Sequence, residues 1–452
     1  MKRLFAMPLA ALVLFGLTAA FAPVAQATPT KTVPCSGCHG GANVPVEAIL
    51  STTVGTTATY NVRAPAADAI AVFSGATKVG STIIGTSGQF AVPVGKTYTV
   101  FAIAGPTTGD GIGSTSVSPV ALPTLTKTQI AGSDRYATSI ATSRSTFATG
   151  SCDSVVLATG RNFPDALGAS GLAGVAGCPI ILVDGLAAAA NTATKAEIVR
   201  LTQGKTTRTV YIAGSTSVVS TDVATSLGSG LGVVVVTRLA GATRYDTANE
   251  IAKRARILMT SKGIAYGGKA LVVTGSDYHD ALLAGPLAYR SRIPLLLVGA
   301  SVTTALTNTM ATVGVNKVEI IGSTTWVPAT VATALGTALG ASNVTRPCSI
   351  ADPYAQGVAV ANWAVSSYGF TWSGVGIATG ENYPDALGAA PVQGKAGNPL
   401  LYTPATTANT AANTTVRAAL AAHKFQIRLL RYFGSTAAVS QTVRNGLEAA
   451  LE

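Results

Sequence analysis

The chain is poor in charged and in catalytic side chains for its 452 residues. Asp, Glu, Lys and Arg make up 11% of it, and it has 3 histidines, 4 methionines and 3 tryptophans. So little histidine argues against a zinc hydrolase or a Ser/His enzyme. No dense Lys/Arg run or known motif is present, so no nucleic-acid partner is expected. Beyond the N-terminal segment, no apolar run approaches the roughly 20 residues of a transmembrane helix.

The N-terminal segment has the features of an export signal. Lys2 and Arg3 precede a mostly apolar stretch, Leu4 to Ala22, and Ala25-Gln26-Ala27 is a small-x-small cleavage site. We expect residues 1–27 to be removed and the remaining chain to be secreted. Without Lys2 and Arg3 it has 29 basic and 19 acidic residues, a net charge of +10. Such a surface suits an anionic partner such as a cell-wall polymer.

The stretch PCSGCHGG, residues 34–41, contains the Cys-x-x-Cys-His spacing that attaches a c-type haem. We expect Cys35 and Cys38 to bind haem c covalently and His39 to ligate its iron, within a short segment of residues 28–47. The haem would transfer electrons to a redox partner or a neighbouring surface protein. The main alternative is a Cys35–Cys38 disulfide. A thioredoxin-like pair lacks a surrounding βαβ unit, and a zinc site lacks a second ligand pair.

Two further cysteines precede strand-like runs. Cys152 lies just before SVVLATG and Cys178 just before PIILVDG. If these runs are neighbouring parallel strands, both cysteines lie at the same edge of the sheet. Export permits disulfides, and we predict a Cys152–Cys178 bridge. Cys348 has no evident partner.

Residues 48–122 are predicted to form a small antiparallel β-sandwich. Runs such as TATYNVRA, GQFAVPVG and KTYTVFAIAG alternate with period two and are separated by Gly, Pro and Ser. The core candidates are Tyr60, Val62, Val72, Phe73, Phe90, Val92, Tyr98, Val100 and Phe101.

From residue 123 onward, four markers recur three times in the same order. GSDRYAT, GATRYDT and IADPYAQ place Tyr136, Tyr245 and Tyr354 at steps of 109 residues. Next come ATGRNFPDALG, VTGSDYHDALL and ATGENYPDALG, then CPIILVDG, IPLLLVGA and NPLLYTPA, and finally three turns that contain GST. This period is too long for a solenoid repeat, so each copy is a small domain. The predicted modules are residues 123–238, 239–347 and 348–452.

Each module is predicted to be an α/β domain with a parallel sheet. Apolar runs without alternation, such as SVVLATG and TVYIAG, indicate strands that are buried on both faces. Ala-rich helical stretches separate them, as in a parallel sheet with crossover helices.

The four markers resemble the type 2 cell-wall-binding repeat of Gram-positive surface proteins. The resemblance covers residues 123–452 and implies three modules in a pseudo-threefold arrangement. It also implies non-covalent anchoring to an anionic secondary wall polysaccharide, at the cell surface or in a surface layer. Two alternatives stay open: a wall-active enzyme or autolysin modifier of the amidase-associated kind, and a haem-free surface-layer or adhesin protein.

The ligand is expected beyond the carboxyl ends of the strands, where open α/β sheets bind. Asp165, Asp280 and Asp385 lie in such loops and either favour a helix start or bind a polymer hydroxyl or a bridging divalent cation. Arg135 and Arg244 are the candidates for contact with an anion, because a guanidinium pairs well with phosphate or carboxylate. The alternative for the arginines is an intramolecular pair with Asp165 or Asp280.

The third module departs from the repeat pattern. Pro353 stands where the other modules have Arg135 and Arg244. In the second module His279 replaces the proline that the first and third loops share. We therefore expect the modules to differ in their competence to bind.

Overall fold

The computed structural model describes residues 46–54, 57–64, 69–74, 77–84, 87–94, 96–104, 110–117, 125–230 and 234–452. The chain divides into two units, residues 1–122 with residue 452, and residues 123–451. The export signal and the predicted haem ligands Cys35, Cys38 and His39 lie outside the described residues. In the described part, no helix is long and apolar enough to cross a membrane.

Strands alone form the described part of the first unit. They are β1 (Glu47–Val54), β2 (Thr57–Arg63), β3 (Ala69–Ser74), β4 (Thr77–Ile84), β5 (Ser87–Pro93), β6 (Tyr98–Ala104) and β7 (Asp110–Val117). Two antiparallel sheets result, with strand orders β1-β2-β5 and β4-β3-β6-β7. Tyr60 and Val92 from one sheet share a core with Val72 and Val100 from the other.

The core of the first unit differs from the prediction at two aromatic residues. Val72 and Val100 are buried, and successive side chains in a strand point to opposite faces. Phe73 and Phe101 therefore face away from this core, where they are half-buried and meet edge to face at 5.4 Å. Their assignment to the core was wrong, because a period of two cannot bury both members of a Val–Phe pair.

The second unit alternates strands with helices. Its strands are β8 (Thr126–Ile130), β9 (Ser154–Thr159), β10 (Ile180–Val183), β11 (Arg208–Ala213), β12 (Val234–Leu239), β13 (Lys269–Thr274), β14 (Leu295–Val298), β15 (Lys317–Ile321), β16 (Val344–Cys348), β17 (Gly374–Thr379), β18 (Leu400–Thr403) and β19 (Leu429–Phe433). Its helices are α1 (Arg135–Thr146), α2 (Ala169–Ala176), α3 (Thr192–Leu201), α4 (Thr221–Gly230), α5 (Arg244–Ser261), α6 (His279–Ser291), α7 (Thr304–Val313), α8 (Ala329–Leu339), α9 (Pro353–Tyr368), α10 (Pro384–Ala396), α11 (Thr410–Ala422) and α12 (Gln441–Ala449). Short 3-10 turns span Pro164–Ala166 and Ala341–Asn343.

These strands form three parallel four-stranded sheets, one for each module. The strand orders are β10-β9-β11-β12, β14-β13-β15-β16 and β18-β17-β19-β8. Every residue of the neighbouring strands β9 and β10 is buried, and so is every residue of β17 and β18. The prediction of three tandem α/β modules with parallel sheets is thus confirmed.

The first strand of this unit completes the last sheet. Residues Thr126–Ile130 pair in parallel with Leu429–Phe433, and Lys127 makes an ion pair with Glu448 at 2.8 Å. In the same way, β12 lies at the edge of the first sheet and leads into α5, and β16 lies at the edge of the second and leads into α9. In each of the three sheets, an edge strand therefore leads into the long helix of another module. In the last sheet this strand is β8, which comes from the start of the unit and leads into α1.

The helices α2, α6 and α10 contact one another pairwise. Small residues let them approach closely. A Cβ atom on Gly285 would lie 2.8 Å from the Cβ of Ala390 and 3.1 Å from the Oγ of Ser170. The helices that follow β9, β13 and β17 therefore form the contact between modules, which fixes the three preceding loops relative to one another.

The predicted Cys152–Cys178 disulfide is absent from the structure. Both residues do lie at the same edge of the first sheet, but they are free, buried thiols, as is Cys348. The Sγ of Cys152 instead faces the carbonyl oxygen of Gly177 at 3.8 Å. Burial raises the pKa of both the Cys152 and Cys178 thiols.

Candidate functional site

An aromatic cluster joins the loops that follow β9, β13 and β17. Phe163, Tyr278 and Tyr383 occupy the same position in the three loops, and their ring centroids lie 5.4, 5.6 and 6.0 Å apart. Tilted and edge-to-face pairs at these distances are the favoured arrangements of aromatic rings. This three-module contact was missed from the sequence, although the aromatic residue before each Pro or His was its signal.

The glycine that opens each loop is packed against the tyrosine of the RY marker. A Cβ atom would lie 2.5 Å from the tyrosine ring in the first two modules and 3.0 Å in the third. The pairs are Gly160–Tyr136, Gly275–Tyr245 and Gly380–Tyr354. Glycine is required here because the helix-borne ring leaves no room for a side chain. These tyrosines therefore hold the loops in place.

The two arginines predicted to contact an anion are bound to these loops. The Nη1 atom of Arg135 donates to the carbonyl of Gly160 at 2.7 Å, and that of Arg244 donates to the carbonyl of Gly275 at 2.8 Å. Each guanidinium also lies 5.9 Å from an aromatic ring of another module, Arg135 over Tyr383 and Arg244 over Phe163. Neither forms the alternative ion pair with Asp165 or Asp280.

The third loop lacks an arginine partner because Pro353 begins α9. Its Gly380 carbonyl accepts two hydrogen bonds from the second module instead. The Oη of Tyr278 lies 3.0 Å away and the Nε2 of His279 lies 2.8 Å away. The two departures noted in the sequence thus concern one carbonyl group: Pro353 removes the arginine donor, and His279 supplies another.

The three predicted aspartates lie against the glycine of the GST turn in their own module. Gly214, Gly322 and Gly434 have φ angles of 112°, 126° and 100°, which favour glycine. A Cβ atom at any of them would crowd the carboxylate of Asp165, Asp280 or Asp385 respectively. The turn and the aspartate therefore form one unit at the carboxyl end of each sheet.

An arginine side chain supports each GST turn; Arg444 is buried, whereas Arg238 and Arg346 are half-buried. Arg238 and Arg346, from the edge strands β12 and β16, donate to the carbonyls of Gly214 and Gly322. In the third module β8 has Gln129 at this place, and Arg444 from α12 donates to the Gly434 carbonyl at 3.0 Å. Burial lowers the pKa of all three guanidinium groups. No repeat marker pointed to these arginines.

The three aspartates differ in their exposure. Asp280 is 4% exposed, and burial, together with the charge of Asp277, raises its pKa to about 7. No described residue donates to its Oδ2 atom. Asp385 is half-buried, and its pKa is raised by burial and held back by Arg135. Asp165 is half-buried and faces a cavity. The structure therefore closes off Asp280, which was predicted to contact polymer.

A cavity of about 690 Å³ lies between the first and second modules, at the carboxyl ends of their strands. It combines a carboxylate, a guanidinium, hydroxyl groups and an aromatic face. Its lining residues are Thr159, Asn162, Pro164, Asp165, Val218, Ala242, Thr243, Arg244, Tyr245 and Ser276. Thr243 also caps α5 in a capping box with Asp246. Of the predicted polymer-binding residues, this site brings together Asp165 and Arg244.

The comparison with known families decides what these modules are. The sequence model of the family described as "Cell wall binding domain 2" matches residues 129–224, 238–332 and 351–444. The chain belongs to this family. The three matches lie within the three repeats, apart from one residue at the start of the second, so the repeats are cell wall binding domain 2 modules, as the resemblance implied. Family membership also supports a location at the cell surface.

Relatives share this arrangement in part. The N-acetylmuramoyl-L-alanine amidase LytC of Bacillus subtilis (strain 168) is 26% identical over 331 residues, 73% of this chain and 60% of that protein. The chain thus spans less than two thirds of that relative. Cwp8 from Clostridium difficile matches with a TM-score of 0.60 at 20% identity, over 79% of this chain and 59% of its own. Cwp6 from Clostridium difficile gives 0.59 at 18%, over 91% and 68%. At these identities, the two solved structures show the shared fold.

A cation-binding cluster was a further expectation at the cell wall binding domain 2 modules. Among the described residues, no group of three or more His, Cys, Asp or Glu is placed to hold a metal ion. The bridging divalent cation therefore gains no support from this part of the chain, and the chemistry of the cavity is that of Asp165, Arg244 and the hydroxyl groups around them.

Proposed function

We propose that the three-module unit anchors this protein non-covalently to an anionic polysaccharide of the cell wall. The cavity between the first and second modules carries the proposal, because it places Arg244 and Asp165 in one solvent-accessible site of about 690 Å³. A volume of several hundred Å³ suits one or two sugar residues. Without residues 1–27 the chain has 29 basic and 19 acidic residues, and this formal net charge of +10 favours an anionic ligand over long range.

The lining of the cavity matches a charged sugar. A guanidinium has five N–H donors, and among the described residues Arg244 uses one of its nitrogens, Nη1, on the Gly275 carbonyl. Its outer donors suit a phosphate or carboxylate group of the polymer. The Asp165 carboxylate accepts from sugar hydroxyls, and Ser276 adds a hydroxyl donor. Tyr245 supplies an apolar face for a sugar ring.

The test is binding of the full-length chain to purified wall sacculi, with and without their anionic polymers. We expect the native sacculi to retain the protein and the stripped sacculi to release it. Arg244→Gln should weaken retention about 10- to 100-fold, as loss of a charge-assisted contact predicts. Lys317→Gln removes the same charge from the exposed amino end of β15 and serves as the matched control.

Equal retention by both kinds of sacculi would contradict anchoring to an anionic polymer. Equal loss in Arg244→Gln and Lys317→Gln would assign retention to net charge instead of to the cavity. Release of soluble wall fragments by the protein alone would favour the alternative, a wall-active enzyme of the kind LytC's name describes.

For the N-terminal segment, the spacing of Cys35, Cys38 and His39 supports covalent haem c, and surface electron transfer would be its role. The haem would supply a one-electron centre on the anchored protein. Protein exported by a host with c-type haem maturation should show a haem absorption band that resists acid–acetone extraction. The Cys35→Ala/Cys38→Ala variant should lack the band. A colourless exported protein would leave the haem-free surface protein as the function.

A further inference from the structure

His279 makes contacts that the repeat pattern does not anticipate. In the first and second modules, an arginine at the first position of a long helix donates to the loop glycine of its own module. The third module has Pro353 at this position, and its Gly380 carbonyl faces the His279 ring of the second module at 2.8 Å. One positively charged donor on each loop glycine is therefore kept only if the histidine is charged.

The geometry around the imidazole requires two donors. The Nδ1 atom lies 2.6 Å from the Oδ1 of Asp277, and the Nε2 atom lies 2.8 Å from the Gly380 carbonyl oxygen. Both partners are acceptors, a carboxylate and a carbonyl. A neutral imidazole has one N–H group, so it satisfies one of these contacts and leaves two lone pairs facing each other at the other. The protonated ring satisfies both.

Aromatic side chains pack against the His279 ring, and most of the charged groups near it are acidic. Tyr278 stacks on it at 4.2 Å, and Tyr402 of the third module meets its edge at 5.6 Å and donates to its backbone carbonyl at 3.0 Å. Asp277 holds the pKa of His279 above its ordinary value, against the opposing effect of burial. The other titratable or charged groups that face this cluster are Asp280, Arg346, Tyr354 and Glu381.

We propose that protonated His279 is the positioning residue of the junction between the second and third modules, where it takes the place of the arginine that Pro353 removes. It holds the Gly380 loop, and with it Tyr383 and Asp385, against the second module. Deprotonation removes one of its two hydrogen bonds, so the junction loosens as the pH rises. This assignment does not depend on the identity of the polymer.

A double-mutant cycle tests the exchange. His279→Ala removes the ring but keeps the backbone N–H that donates to Asp277, and Pro353→Arg places the residue that begins α1 and α5. We expect each single variant of the full-length chain to lower the unfolding midpoint by about 2–4 °C. In the double variant, the arginine again reaches the glycine carbonyl, so the midpoint should recover to within about 1 °C of the wild type. Purely additive losses would overturn the proposal.

The protonation state gives an independent readout. The chain has three histidines, so imidazole ¹⁵N signals can be assigned with single His→Gln variants. We expect His279 to be doubly protonated at pH 6.5 and to titrate above it. The wild type should also lose more thermal stability than the double variant between pH 6 and 9. His423→Gln, which alters a ring stacked on Trp372 at 4.0 Å, is the control: burial lowers the pKa of His423, so this variant should keep the wild-type loss of stability above about pH 7. A His279 pKa at or below 6.5, or the same pH profile in wild type and double variant, would overturn the assignment.

Discussion

The junction between the first and second modules and the junction between the second and third use different chemistry for the same geometry. In the first, Arg244 holds the Gly275 loop, and the neighbouring Asp165 borders an open cavity. In the second, His279 holds the Gly380 loop, and the equivalent aspartate, Asp280, is 4% exposed. The repeat thus conserves the support of the loop while the access to its carboxylate varies. Support of the loop and access to its carboxylate are therefore separable in these modules.

The largest expected effect distinguishes the two aspartates. The raised pKa of Asp280 means that the folded state holds this proton to a higher pH than the unfolded chain does. The free energy of unfolding therefore falls as the pH rises from about 4 to about 7. Asp280→Asn removes the cost of ionising this buried carboxyl group. The free energy of unfolding at pH 8 should therefore rise by about 2–4 kcal/mol, with no gain below pH 4.

Asp165→Asn is the matched variant at the other junction. Asp165 is half-buried beside a cavity, so the variant's free energy of unfolding should differ from that of the wild type by less than about 0.5 kcal/mol. Its retention by the wall should nevertheless weaken. Urea unfolding at several pH values measures the first effect and sacculus binding the second. An Asp280→Asn variant that is no more stable at pH 8 than at pH 4, relative to wild type, would remove the contrast.

The loop glycines should differ in their tolerance to a side chain. Gly275→Ala puts a methyl group 2.5 Å from the Tyr245 ring, whereas at Gly380 the nearest atom of Tyr354 is 3.0 Å away. We expect Gly275→Ala to cost about 1–3 kcal/mol and Gly380→Ala about half as much. Urea midpoints compared at equal slope provide the measurement. Equal costs would mean that the tyrosine does not set the requirement for glycine.

The smallest effect concerns the shape of the cation. Arg244→Lys keeps the charge but loses the planar group that both donates to Gly275 and stacks on Phe163. We expect a loss of about 1 kcal/mol in the free energy of unfolding. Arg417→Lys, at an exposed position on α11, is the control and should be neutral. If lysine at 244 is equally neutral, charge alone supports this loop.

Much of the architecture could be predicted because it is encoded locally. Unbroken apolar runs marked the buried parallel strands, and the repeated markers fixed the number of modules. Asp165 was also placed correctly, in a loop that follows the carboxyl end of a strand. The pairing of β8 could not be predicted in this way, because TKTQI buries one side chain, Ile130, and its partner strand lies about 300 residues away.

The details of the site depended on contacts between modules, which a single repeat does not encode. The role of Arg135 and Arg244 was predicted as either polymer contact or ion pair, yet both bind a glycine carbonyl and an aromatic ring of another module. His279 and Pro353 were each noted as a departure. Their connection became visible only in the structure, where the His279 ring contacts the Gly380 carbonyl that Pro353 leaves without an arginine donor.

The position of β8 constrains how the three-module unit can be joined to further modules or domains. Because β8 pairs with β19, the edge of the last sheet that a following repeat would otherwise extend is already occupied. The first strand and the last helix of the three-module unit also lie side by side, because Lys127 of β8 makes an ion pair with Glu448 of α12. A domain fused to either end of the three-module unit would therefore be attached at neighbouring points.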